Sequence, residues 1–321
     1  AGTQVVSLQL SVGSWQLAAD GGGLHVPVCV LMVSSDDLNL MTDDLRLETF
    51  LLVGTDTGVG KTVFTGLFAR YLMDNGVGVQ AVKPFCAGGK ADIEFLRVAQ
   101  NENLGQEEVN YWYSEEPISP AAAELRLGQA VDFEGAINWI NSLRSAVFSH
   151  QEGLSGQVAV GSGERGLQSA AGVRQAGVLL VEGVGGLLAP LAKGRTVASL
   201  GQALGAQLIV VAPNRVGVIN QVLLTVEAAA KRGLEVACVV LMGQREADLS
   251  SLDNAALIWD YLPELAGFKG VFEFPWLGLE ADDPGQIGVN VKKVEKVLAE
   301  IYEACRLRGP SGSGVTDQPS G

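Results

Sequence analysis

The chain has 321 residues, enough for one large domain or two modest ones, and its 22 Lys+Arg against 36 Asp+Glu give a net charge of −14. That sign excludes an electrostatic footprint on nucleic acid or anionic lipid. With 47% apolar and 18% charged residues the body can fill a core, which excludes global disorder.

In chain order, residues 1–45 contain no Lys or Arg, so no export or organelle-targeting signal is expected there. Their apolar run from Val26 to Val33 is broken by Pro27 and too short to span a membrane. The stretch is Gly-rich and acidic. It is expected to be an atypical, poorly ordered extension, with Met41 as the expected start. Residues 46–307 are expected to form the domain. Within it short apolar runs, FLLVG (50–54), VQAVK (79–83), VLLVE (178–182), LIVVA (208–212), VACVVL (236–241) and GVFEF (270–274), alternate with helix-period stretches. Runs such as LLV, VLLV and LIVV carry no polar alternation, as strands do when helices cover both faces of a parallel sheet. The expected architecture is α/β, a single domain with a doubly wound, mostly parallel sheet. Residues 151–177 hold seven glycines and little periodicity, and are expected to be a surface insertion. Residues 308–321 are too poor in apolar side chains to offset their ordering entropy and are expected to be a loose tail.

Two histidines, His25 and His150, are too few for a His-built metal centre or triad. Cys29, Cys86, Cys238 and Cys305 are widely spaced, form no zinc or redox pair, and suit a reducing cytoplasm. The chemistry-bearing segment is LLVGTDTGVGKTVFTGLFARYLMDNG, where an apolar strand enters a Gly-rich loop and a helix follows. Gly58 and Gly60 permit backbone angles at which successive N–H groups of Thr57 to Val63 can face an anion, and the helix N-terminus adds its dipole. Lys61 would reach the β/γ-phosphates of a nucleotide, and the Thr62 hydroxyl a Mg²⁺ ion. The loop departs from the plain pattern, because Gly54 sits one residue early and Thr55 takes the first-glycine position. This makes the expected fold one of the P-loop NTPase type.

Two further segments end apolar strands where ligands gather in open α/β sheets. In VLLVEGVGG, Glu182 stands at the strand end before Gly183, Val184 and Gly185, and can hold Mg²⁺. In AVKPFCAGGKADIEFL, Lys83 ends a strand and Asp92 opens a helix, positioned to complete a magnesium shell. A surface lysine and an N-capping aspartate would have the same local sequence. Cys86 reads as a small apolar filler. Ser119-Pro120 reads as an N-cap followed by Pro at the first helical position, a helix start whether or not substrate touches it.

Together GTDTGVGKT (54–62), KPFCAGG with Asp92, EEPISPAAAEL (115–125), VEGVGGLLAPL (181–191), NRVGVINQVLLTVEAAAKRGL (214–234) and FPWLG (274–278) resemble, in order, the motifs of the dethiobiotin synthetase family. The resemblance spans most of Phe50 to Gly278. It implies ATP-dependent carboxylation and ring closure of 7,8-diaminopelargonate with carbon dioxide or bicarbonate. It also implies that Lys61 binds ATP phosphates, that Lys83 is catalytic with it, and that Thr62, Asp92 and Glu182 hold Mg²⁺. The nucleotide would further meet Met242, Gly243, Pro275, Trp276 and Leu277, and the substrate Ala87, Ser119 and Asn220. The family is similar to a homodimer whose substrate site uses both subunits. Three positions depart from it: Gly58 stands for a polar or acidic residue, Ala87 for a hydroxyl residue, and Met242-Gly243 occupies the place of an adenine-reading asparagine. Relaxed nucleotide selectivity is therefore expected. A related P-loop amide synthase would need a Cys–His glutaminase pair, which nothing after Glu182 supplies. An ATP-binding regulatory module without turnover is the alternative from another class.

Overall fold

The computed structural model describes residues 47–101, 104–154, 177–262, 265 and 267–306. The expectations for residues 1–45 and 308–321 fall outside them. Of the segment 151–177, residues 151–154 close a helix and Gly177 leads into a strand, while the rest also falls outside.

The sheet has six parallel strands: β1 (Glu48–Gly54), β2 (Val79–Val82), β5 (Val178–Gly186), β8 (Gln207–Pro213), β9 (Val236–Met242) and β10 (Gly270–Phe274), in the spatial order β10-β9-β8-β1-β5-β2. Two small ladders accompany it. β3 (Phe85–Ala87) pairs in parallel with β4 (Trp112–Ser114), and β6 (Pro190–Ala192) antiparallel with β7 (Arg195–Thr196). The helices are α1 (Lys61–Asp74), α2 (Ala91–Ala99), α3 (Pro120–Leu127), α4 (Phe133–Leu154), α5 (Val197–Leu204), α6 (Val218–Ala230), α7 (Asn254–Tyr261) and α8 (Ile287–Arg306).

The strands are apolar throughout because they are covered on both sides. Along β1, Phe50 and Leu52 join one core cluster with residues of α1, α2 and α8, whereas Leu51 and Val53 join another with residues of α4, α5, α6 and α7. Successive side chains of a strand point to opposite faces, so these are the two layers of a doubly wound sheet. β1 and β5 are neighbours, yet α1 after β1 packs in the first layer and α5 in the second. The chain thus leaves adjacent strands toward opposite faces, which opens a crevice at their C-terminal ends.

Local signals set the ends of the elements. α1 stops at Asn75-Gly76, where Gly76 takes φ 76°. The Gly76 N–H donates to the Met73 carbonyl and the Val77 N–H to the Leu72 carbonyl, a Schellman closure. α3 starts as expected, with the Ser119 hydroxyl accepting from the Ala122 N–H at 3.3 Å and Pro120 at the first position.

The edge strand β2 is secured by a side chain that no sequence pattern announces. Gln100, 4% exposed, accepts from the Ala81 N–H at 2.8 Å and donates to the Ala81 and Leu96 carbonyls at 2.9 Å each. Gln100→Leu would leave the Ala81 amide and carbonyl buried without partners. Leaving such a group unsatisfied costs about 1–3 kcal/mol, so the variant should lose about 2–4 kcal/mol in denaturant unfolding with an unchanged m-value.

Candidate active site

The site grows from the end of β1. Residues 55–60 form a loop between β1 and α1 with Gly58 at φ 71° and Gly60, the N-cap of α1, at φ 96°. Both angles lie in the left-handed region that favours glycine. The loop brings Thr57, Gly58, Val59, Gly60, Lys61, Thr62 and Val63 to the start of a helix with no acidic residue in its first turn. Such a loop presents backbone N–H groups and a positive helix end to an anion. Lys61 is 6% exposed, and its ammonium folds back to donate to the Asp56 carbonyl at 3.1 Å. Burial lowers its pKa from the ordinary lysine value, with Glu182 acting in the opposite sense.

Gly54, read from the sequence as one residue early, has a spatial reason. A Cβ there would lie 2.5 Å from the Asp56 carbonyl oxygen and 2.7 Å from Lys61 Nζ. At Gly58 an added Cβ meets nothing within 4 Å. Gly54→Ala should therefore weaken nucleotide binding by about tenfold, since overpacking costs about 1–3 kcal/mol and 1.4 kcal/mol is a factor of ten. Gly58→Ala carries only left-handed strain of about 1–2 kcal/mol. Calorimetric titration of both variants with ATP checks the ranking.

The second half of the site comes from strand register. Val82 of β2 pairs with Val181 of β5. The next residue along each strand is Lys83 and Glu182, which are therefore neighbours despite lying 99 positions apart. The Lys83 ammonium donates to Glu182 Oε1 at 2.7 Å and to Asp92 Oδ2, and Thr62 Oγ1 donates to the same Glu182 Oε1 at 2.7 Å. Glu182 is 1% exposed and Lys83 6%, while the Asp92 side chain is half-exposed. Burial acts to lower the Lys83 pKa, but the carboxylates of Glu182 and Asp92 outweigh it and raise the ammonium above the ordinary value. Lys83 is thus held as a cation. Asp92 is not a helix cap: it lies inside the first turn of α2, whose N-cap is Lys90.

Other residues hold this pair in place. The Lys83 N–H donates to the Val109 carbonyl at 2.8 Å, and the buried Asn110 amide donates to the Lys83 and Trp112 carbonyls at 2.8 and 2.9 Å. Asn110 carried no signal in the sequence. Beyond Glu182, Gly183 lies where a Cβ would meet Val197 Cγ1 at 2.9 Å and the Leu52 carbonyl at 3.1 Å. A Cβ on Gly185 would lie 3.6 Å from Thr57 Oγ1: Glu182 does not end its strand as expected, because β5 runs on through Gly183, Val184 and Gly185 to Gly186, and this last stretch lies against the phosphate loop. Cys86 is buried and its thiol is pushed up to about 11 by burial, in keeping with a filler.

The oxygen donors suit a small hard cation. Glu182 Oε2 is buried without a hydrogen-bond partner among the described residues, on the carboxylate whose other oxygen accepts from Thr62 and from Lys83, and Lys83 in turn bonds Asp92. Among the described residues no group of three His, Cys, Asp or Glu gathers as a metal cage. One buried carboxylate, one half-exposed carboxylate and a hydroxyl match the way Mg²⁺ is held, by few protein ligands with phosphate oxygens completing the shell.

The remaining expected residues lie around this centre. Met242 and Gly243, at the end of β9, touch the phosphate loop on one side and the segment after β10 on the other. A Cβ on Gly60 would lie 3.0 Å from Met242 Cε, and the Gly243 N–H donates to the Phe274 carbonyl at 2.6 Å. Pro275, Trp276 and Leu277 follow directly. Ala87 ends β3, Ser119 caps α3, and Asn220 is exposed in the first turn of α6. No hydrogen bond among the described residues joins these three to Lys83.

A parallel sheet wound on both faces, with a glycine loop entering a helix that opens Lys-Thr, defines a phosphate-loop nucleotide-binding protein. The model of the family described as "AAA domain" matches residues 48–279, and the chain belongs to that family. It is similar to the ATP-dependent dethiobiotin synthetase BioD of Bacillus thuringiensis (strain Al Hakam), 27% identical over 259 residues that cover 78% of this chain and 95% of that relative. To the protein of the same name from Akkermansia muciniphila it is 26% identical over 216 residues, covering 67% of this chain and 88% of that one. A solved complex of a Cyanothece McdA variant with ATP is 17% identical with a TM-score of 0.42, covering 83% of this chain and 98% of that one.

Proposed function

We propose that this chain is an ATP-dependent dethiobiotin synthetase, a cyclo-ligase that joins 7,8-diaminopelargonate and carbon dioxide into a cyclic urea. The observation that carries the reading is the hydrogen-bonded cluster of Thr62, Lys83, Asp92 and Glu182, with the buried Lys61 ammonium within electrostatic reach of it. The names of the curated relatives supply the substrate class.

The chemistry needs such a site because every intermediate is anionic. One amine of the diamine adds to carbon dioxide and loses a proton, giving a carbamate. A carbamate oxygen takes the γ-phosphoryl group of ATP, with ADP leaving, to form a mixed anhydride. The second amine then attacks that carbon and loses a proton, phosphate leaves with the C–O bond electrons, and the ring closes. Lys61 neutralises the β/γ-phosphates, and Lys83, already held as a cation, faces the carbamate and the transferring phosphoryl group. Catalysis of this kind is positioning plus electrostatics, with no covalent nucleophile. The loop N–H groups of Thr57 to Val63 and the last stretch of β5 at Gly183, Val184 and Gly185 cradle the phosphates. Thr62, Asp92 and Glu182 would hold Mg²⁺, which when bound supplies charge neutralisation at phosphate oxygens. Met242, Gly243, Pro275, Trp276 and Leu277 take the nucleoside, and Ala87, Ser119 and Asn220 the diamine.

The working form is a homodimer. Exposed Val216 and Leu224 flank exposed Asn220, so a second copy laid on α6 would cover apolar surface and reach the substrate residue together. The free thiols of Cys86, Cys238 and Cys305 support a reducing cytoplasm, and among the described residues no helix is long and apolar enough to cross a membrane.

ADP release by the purified chain tests the reading. Release should need diamine and bicarbonate together and should stop on chelation of divalent ions. Release that ignores the diamine, or none with all components present, contradicts it; the second result fits a regulatory module that only binds ATP.

A further inference from the structure

The two carboxylates that suit a divalent cation are already joined by an ammonium. Lys83 Nζ donates to Glu182 Oε1 at 2.7 Å and also to Asp92 Oδ2. The same Glu182 oxygen accepts from the Thr62 hydroxyl at 2.7 Å. Lys83 and Glu182 are buried side chains, whereas Asp92 is half-exposed. The ammonium thus stands where a cation bridging Glu182 and Asp92 would stand, with the Thr62 hydroxyl beside it. A divalent ion that took these oxygens would have to move Lys83 off them.

Charge decides what can move it. The buried Lys61 ammonium lies within electrostatic reach of Lys83, Glu182 and Asp92. Two ammonium groups and two carboxylates balance, so the cluster carries no surplus negative charge. Asp56, which also acts on Lys61, is exposed, and its carboxylate accepts from the Thr57 N–H at 2.7 Å. Mg²⁺ gives up its water reluctantly, and a neutral cluster offers little to offset that loss. Parting a buried ion pair is costly unless both members find new partners. A triphosphate meets both needs. Its charge offsets the cost of bringing in the metal, and its oxygens accept the displaced ammonium.

We propose that Lys83 is the built-in counter-ion of Glu182 and Asp92, so that the site keeps out a free divalent cation and admits the metal only together with a triphosphate. The inference rests on the nucleotide reading above and deepens it, by giving that site an order of loading. Titration of the full chain with Mn²⁺ alone, followed by the electron paramagnetic resonance signal of the free ion, tests it. Lys83→Met and Lys83→Gln should each bind Mn²⁺ about ten- to a hundredfold more tightly than the unsubstituted chain, because each leaves a buried carboxylate without its cation. Glutamine can still donate to Glu182, which keeps the test open should the methionine variant not fold. Glu182→Gln added to either variant should remove the gain. Toward Mg²⁺-ATP the same variants change little, because the ammonium that leaves the carboxylates is the one that meets the phosphate oxygens. Equal Mn²⁺ affinity in the unsubstituted chain and the Lys83 variants, or a gain that survives Glu182→Gln, overturns the proposal. If the unsubstituted chain still binds Mg²⁺-ATP in that case, the nucleotide reading stands. Failure to bind Mg²⁺-ATP overturns that reading and this inference with it.

Discussion

Lys83→Met should stop product formation while leaving Mg²⁺-ATP binding within a few-fold of the unsubstituted chain. The ammonium lies 2.7 Å from Glu182 Oε1 and also bonds Asp92, and both carboxylates hold it as a cation beside the phosphate loop. Methionine keeps an apolar stem as far as the ε position and removes the ammonium, with its charge and its hydrogen bonds to Glu182 and Asp92. Loss of one preorganised charge contact to a transition state costs about a hundredfold to a thousandfold in turnover. The same change leaves Glu182, 1% exposed, without its cation. Breaking a buried pair in this way destabilises by about 3–5 kcal/mol, and the half-exposed Asp92 recovers some of that from water. Thermal unfolding with and without Mg²⁺ separates the two effects. Turnover equal to that of the unsubstituted chain would remove Lys83 from the chemistry.

Lys61→Ala acts on the β/γ-phosphates themselves and should fail at binding. Among the described residues the buried ammonium makes one hydrogen bond, to the Asp56 carbonyl, so few polar contacts of the fold depend on it. A charge-assisted hydrogen bond is worth about 1.5–3 kcal/mol. ATP affinity should therefore fall by about 10- to 150-fold, at 1.4 kcal/mol for each factor of ten. The unfolding midpoint without nucleotide should move little. The pair of variants thus splits nucleotide capture from turnover, as measured by calorimetry and ADP release on the same preparations.

What could be read from the sequence was what lies within one strand–loop–helix unit. The strand runs 50–54, 178–182, 208–212, 236–241 and 270–274 all fall in strands, because fully buried parallel strands need uninterrupted apolar residues. The loop at Gly58 and Gly60 was legible because backbone angle demands glycine there. The pairing of Lys83 with Glu182 was not, since it depends on the β2–β5 register, and β2 and β5 are not consecutive in the chain. For the same reason Asp92 could pass as a helix cap until α2 was seen to begin at Ala91 with Lys90 as its cap. Gly54 read as a misplaced loop glycine, although its task is to give room to Lys61 Nζ. Gln100, Asn110 and Asn254 left no trace, because a buried amide that satisfies backbone groups 19 to 39 residues away has no spacing rule.

Under the proposed function, the crevice where β1 and β2 end beside Glu182 of β5 couples triphosphate cleavage to urea closure. The most direct measurement supplies the purified chain with 7,8-diaminopelargonate, Mg²⁺-ATP and ¹³C-bicarbonate and follows the products by mass spectrometry. The account predicts dethiobiotin carrying one labelled carbon, formed in step with ADP. ADP that accumulates without labelled dethiobiotin would contradict it.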